Sequence, residues 1–338
     1  MRFWIGWLML AACSEGGDVD DKGADPTDDT DPGFDTDVPG DPEIIYEAVE
    51  PVARWVREEF NGVKFVSFIP EDPVALLFVF HGTGGGGGGV VDTAEMTWLL
   101  NHMVEANVGF FAPDSINRAD GLFDTGSNTS SNPDWQFLTA ARDNLVTTGL
   151  ITADLPLFTL GFSAGGGFAN YVGHAGLRAG WPVRGALFHN TLGRSNEFGD
   201  PPDVPCMWMA AEFDERVSYD GMESNYQEHL ADGFADIWAP HFESRLYPTR
   251  FVRSGSLTEN QSRDVWQLAV DNGYFDDRGH RLFGDDEIEA KVEEFTSSYD
   301  VYYPKPVTAQ LNVVLATHAV NGEHAPEETA FVVGEAAR

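Results

Sequence analysis

The chain has 338 residues, 42% of them hydrophobic, and a formal net charge of −35. That length and apolar content can bury a real core, in one large domain or two smaller ones. The charge excludes the basic footprint of a nucleic-acid binder and electrostatic attachment to an anionic membrane surface. Two cysteines, Cys13 and Cys206, make no disulfide framework.

The N-terminus reads as a targeting segment. Arg2 supplies a positive start and residues 3–10 an apolar core, too short to span a bilayer as a helix, which takes ~20 residues. The core ends in Leu10-Ala11-Ala12-Cys13, which resembles the lipobox of bacterial lipoproteins. That resemblance implies cleavage before Cys13, lipidation of its thiol and a secreted, cell-envelope protein that meets the membrane only through this anchor. A plain secretory signal cut elsewhere is the alternative. Residues 14–43 are dense in Asp and Pro and nearly free of large apolar side chains, so a disordered acidic linker is expected. Asp18, Asp20 and Gly23 fit part of a calcium loop, but Lys22 stands at a ligand position and Asp29 replaces the closing Glu. The expected segments are therefore 1–13 (signal), 14–43 (linker) and 44–338 (folded domain).

From residue 44 strands alternate with helices. Residues 56–60 and 64–69 read as two strands joined through Asn61-Gly62, a hairpin-type pair. The continuous apolar run 75–80 suits a central buried strand. A helix is expected over 91–106, a strand over 109–113, and a helix over 134–148 capped by Asn132 or Asp134. Strands follow at 157–160, 184–189 and 206–211, with a helix over 166–175; Cys206 opens a strand that reads as buried. A last strand is expected at 311–316 and a last helix at 327–337. This alternation predicts an α/β fold, a mostly parallel central sheet with helices on both faces.

The strand at 157–160 runs into Gly161-Phe162-Ser163-Ala164-Gly165. A serine on a sharp strand-to-helix turn adopts a strained backbone that only small neighbours tolerate, and the turn lifts its hydroxyl clear of the sheet. A second glycine-rich segment, Gly82-Thr83-Gly84-Gly85-Gly86-Gly87, follows the third strand. It formally matches a dinucleotide-binding Gly-x-Gly-x-x-Gly, but two strands precede it and no acidic residue ends a second strand about 20 residues on, Glu105 falling inside a helix. A phosphate P-loop is excluded because no Lys-Ser or Lys-Thr follows.

A serine hydroxyl needs a base, and the base needs a third group to orient it. The candidates occur in the order serine, acid, histidine. On His81-Gly82-Thr83-Gly84-Gly85, the pentapeptide around Ser163, Asp214 and Gly322-Glu323-His324, the chain resembles an α/β-hydrolase, in the group of secreted esterases related to feruloyl esterases and polyhydroxyalkanoate depolymerases. The resemblance covers roughly residues 55–335. It implies Ser163 as nucleophile and Asp214 as acid, in the loop after a strand with Val217 three positions on; Glu212 and Asp220 are the reserves. It implies His324 as base, in a Gly-x-His loop after the last strand, with His318 as rival. The oxyanion hole would take the N–H of Ala164 and that of Thr83 or Gly84. About 110 residues separate Asp214 from His324, more than a core connection needs. An insertion over roughly 218–308, rich in aromatics such as Trp238, Tyr247, Phe251, Trp266, Tyr274, Phe275, Tyr302 and Tyr303, is therefore expected to form a cap. Arg118, Trp135 and Asn190 are lesser candidates for the cleft wall.

The expected activity is hydrolysis of a carboxylic ester through an acyl-enzyme, with neither metal nor organic cofactor. A serine peptidase of the same fold and a non-catalytic surface binding module are the alternatives.

Overall fold

The computed structural model describes residues 50–117, 121–211, 214, 216–241, 248, 257–277, 279, 281–284, 287, 290, 291, 293, 294, 318, 322 and 324–338. The expected signal and linker, Cys13, Arg118, Glu212, the strand at 311–316 and the aromatics Tyr247, Phe251, Tyr302 and Tyr303 lie outside them.

Strand β1 (Val56–Phe60) turns at Asn61 and Gly62, both at positive φ (48° and 82°), into β2 (Val63–Phe68). That is the geometry for which Asn-Gly is suited. Strand β3 (Ala75–Phe80) is buried along its whole length. The helix expected over 91–106 is α2 (Ala94–Glu105), started by Thr93, whose side chain accepts the Met96 N–H; a short helix α1 (Gly87–Val91) precedes it. Strand β4 (Val108–Pro113) leads to α3 (Pro133–Thr147), capped by Asn132 with Pro133 in its first turn.

Next come β5 (Leu157–Phe162), α4 (Ala164–Arg178), β6 (Val183–His189) and β7 (Cys206–Ala211). The first two elements inside the stretch expected to be a cap are α5 (Tyr219–Ala231) and β8 (Ile237–His241). Strand β8 pairs parallel with β7 from Met207↔Ile237 to Ala211↔His241. The start of the expected insertion therefore extends the sheet. Helix α6 (Glu259–Asp271) opens on a Thr258–Gln261 capping box. Helix α7 (Ala325–Ala336) ends the chain's regular structure.

The sheet runs β1-β2-β4-β3-β5-β6-β7-β8. Strands β1 and β2 are antiparallel to their neighbours, and β3 to β8 are parallel. Successive side chains of a strand face opposite ways, and the two cores follow from this. Leu76, Phe78 and Phe80 pack with Leu138 of α3 and Phe168 of α4. Leu77 and Val79 pack with Leu99 of α2 and Val332 of α7. Along β6, Ala186 and Phe188 join the first core and Leu187 the second, so the next inward position on the α7 side belongs to His189. Among the described residues no helix is long and apolar enough to cross a membrane.

Candidate active site

Ser163 stands between β5 and α4 at φ 53° and ψ −128°, a region that non-glycine residues rarely occupy. Its surroundings leave room for nothing larger than hydrogen. A Cβ on Gly161 would lie 2.3 Å from the Gly165 carbonyl oxygen, and one on Gly165 would lie 2.3 Å from that of Phe80. The turn is pinned by two backbone bonds: the Ser163 N–H donates to the His189 carbonyl (3.0 Å) and the Gly166 N–H to the Ser163 carbonyl (2.9 Å).

The side chain so presented meets His318. Ser163 Oγ lies 2.8 Å from His318 Nε2, and His318 Nδ1 lies 2.6 Å from Asp214 Oδ2. The two ends of the histidine and the acid are well buried, with 7% and 2% of their side chains exposed. A carboxylate can only accept, so Nδ1 carries the proton facing Asp214 and Nε2 is left to accept from the serine hydroxyl. Phe162 covers the imidazole at a ring separation of 5.0 Å. The other oxygen of Asp214 accepts the N–H groups of Arg216 (2.7 Å) and Val217 (3.0 Å), a turn that fixes the carboxylate. Three residues before Asp214, the Ala211 N–H donates to Asn190 Oδ1 at 2.9 Å, holding the end of β7 from which Asp214 projects.

His324, expected as the base, is not at this point. It is the residue that opens α7, and its carbonyl accepts the Glu328 N–H at 2.8 Å. The glycine of its Gly-x-His is there for packing: a Cβ on Gly322 would lie 3.0 Å from the Glu95 carbonyl oxygen of α2. Asp220, one of the reserves for the acid, lies exposed in the first turn of α5. Trp135 packs in the core against Trp181.

The glycine-rich segment runs alongside the serine. A Cβ on Gly82 would lie 3.2 Å from Ser163 Cβ. Thr83 and Gly84 form an exposed turn, Gly84 at φ 71°, closed by the Gly85 N–H donating to the Gly82 carbonyl (3.1 Å). On the serine's other side Ala164 opens α4, and the first N–H groups of a helix have no partner within it. His81 braces the segment from beneath. Its Nδ1–H donates to the Gly82 carbonyl (2.8 Å) and its Nε2 accepts the Ser115 N–H (3.3 Å). Burial pushes the His81 imidazole below its ordinary 6.5, outweighing the Gly82 carbonyl and the charge of Asp114. Sequence reasoning named neither brace, His81 or Asn190, for these tasks; both depend on contacts made by distant strands.

One group of metal-ligating types occurs among the described residues, Cys206, His229 and Asp236. It sits where β7 and β8 begin, at the opposite end of the sheet. Its carboxylate is already filled, by the Cys206 N–H (2.8 Å), Trp208 Nε1–H (2.9 Å) and His229 Nδ1–H (2.7 Å). Burial, with the nearby charge of Asp236, holds the Cys206 thiol well above its ordinary range. The set reads as a hydrogen-bonded clamp between strands.

No family model and no curated protein matches the chain. Among solved structures it is similar to Est1E from Butyrivibrio proteoclasticus, at 11% identity over 65% of this chain and 100% of that one, with a TM-score of 0.41. It is similar to a Bacillus cereus carboxylesterase at 16% identity (62% and 93% covered, TM-score 0.37). A third is a monoglyceride lipase from Saccharomyces cerevisiae at 14% (58% and 88%, TM-score 0.39). The chain's own topology is the firmer ground. Its antiparallel hairpin, the parallel strands in the order given above and the strained serine between β5 and α4 give this chain the α/β-hydrolase fold.

Proposed function

We propose that this protein is a serine hydrolase that cleaves carboxylic esters through an acyl-enzyme. The observation that carries the reading is the unbroken line from Asp214 through His318 to Ser163, with bonds of 2.6 and 2.8 Å. In this reading Ser163 Oγ attacks the ester carbonyl while His318 Nε2 takes its proton. The Asp214 carboxylate holds the imidazole in the required tautomer and stabilises the imidazolium. The tetrahedral oxyanion is met by the Ala164 N–H and by an N–H from the Thr83-Gly84 turn. His318 then protonates the departing alkoxide, the alcohol leaves, and a water activated by the same imidazole releases the acid.

An ester is the favoured substrate class because an alkoxide is a far better leaving group than the amide nitrogen of a peptide. The test is labelling of the purified protein with a fluorophosphonate, followed by peptide mass spectrometry. Label is expected on Ser163. It is expected to vanish in Ser163→Ala, to fall by ~10³-fold or more in rate in His318→Ala, and to persist in His324→Ala. A folded wild-type protein that takes no label would defeat the proposal.

A further inference from the structure

Beneath the serine lies a buried pair that the chemistry above does not use. His189 Nε2 is 2.9 Å from Glu328 Oε2, with 1% and 0% of the side chains exposed. The second polar atom of each, His189 Nδ1 and Glu328 Oε1, is buried with no hydrogen-bond partner among the described residues. Placing a carboxylate there is expensive, and apolar residues of similar volume would fill the same space at no loss of stability. Packing alone therefore does not account for the pair.

Its place in the fold does. His189 ends β6, and its carbonyl accepts the N–H of Ser163 (3.0 Å). Glu328 sits in the first turn of α7, the helix that follows the segment carrying His318, and its own N–H is bound to the His324 carbonyl at 2.8 Å. One residue is thus tied to the nucleophile through its backbone and to the base-bearing end of the chain through its ring. With Glu328 accepting, the Nε2–H tautomer is the one that fits, since no acceptor faces Nδ1.

We infer that the His189–Glu328 pair is a positioning strut, which fixes the distance between the serine turn and the His318 segment and so sets the Ser163–His318 hydrogen bond. The inference rests on the proposed triad, and the test separates the two. Wild type, Glu328→Gln, Glu328→Ala and the double variant His189→Leu/Glu328→Met are compared for ester hydrolysis and fluorophosphonate labelling rate. Folding is checked by circular dichroism and thermal melts. The double variant replaces the pair by apolar groups of similar volume and is expected to fold even where Glu328→Ala does not.

The expected result is a kcat and a labelling rate lowered about 10- to 100-fold with KM unchanged, the effect of a small misplacement of reacting groups. Glu328→Gln, which still accepts from Nε2–H, is expected to recover most of the rate. A folded double variant that turns over and labels at the wild-type rate would overturn the strut, because the pair would then be packing alone. If wild type itself takes no label, it is the triad reading that fails.

Discussion

Ser163 is held in a backbone region that costs of order 1–3 kcal/mol, and every neighbour that maintains it is identifiable: Gly161, Gly165, and the His189 carbonyl. His81 deserves equal weight in the turn opposite. Its ring must be neutral, because Nε2 accepts from Ser115 while Nδ1–H donates to Gly82. The folded imidazole is depressed below 6.5, so the unfolded chain binds more protons as the solution acidifies. The stability linked to this ring is full above about pH 6.5 and is lost as pH falls through the folded value. His81→Phe is expected to narrow the difference in melting temperature between pH 8 and pH 5. It is also expected to lower kcat by up to the ~100-fold that follows loss of an oxyanion donor. An unchanged pH dependence of melting would show that His81 is not the titrating group.

At this same scale the sequence was legible where chemistry is local. The pentapeptide around Ser163 and the strand-loop context of Asp214 are short-range patterns, and both residues lie in the site. The base was not legible, because Gly322-Glu323-His324 and His318 both follow the expected last strand. The choice between them is made by distance across the fold: Gly322 packs on α2, and His324 is consumed in starting α7.

Among the elements, the parallel strands and the Asn61-Gly62 hairpin could be read from apolar runs and turn chemistry. Strand β8 could not, because it is short, contains Pro240 and sits behind a polar helix; its identity comes from pairing with β7. Helix α1 could not be read either, because it begins inside the glycine run, where no apolar period announces a helix.

The long connection between β4 and α3 is organised by one carboxylate. Asp134, 4% exposed in the first turn of α3, accepts the N–H groups of Ile116 (2.7 Å) and Asp124 (2.8 Å). Asp134→Ala strands both donors and is expected to lower stability by about 1–3 kcal/mol, read from denaturant melts. Asp134→Asn, which keeps an acceptor, is expected to lose less.

For the molecule as a whole, the net charge of −35 makes a field that repels anions. Salt screens such a field, whose reach is ~8 Å at physiological ionic strength. An ester carrying a carboxylate is therefore expected to gain several-fold in kcat/KM as salt is raised, while a neutral ester of equal size stays nearly constant. Equal salt responses for the two esters would remove long-range charge from the account of substrate choice.

Ser163 and the imidazole that meets it are 155 positions apart. A chain leaves the ribosome N-terminus first, so the strained turn can be complete while residue 318 is still unmade. Until then the serine has no base, and a hydroxyl without one is a poor nucleophile. On the proposed triad, the nascent polypeptide is thus chemically silent until residue 318 has been made and folded against the serine turn.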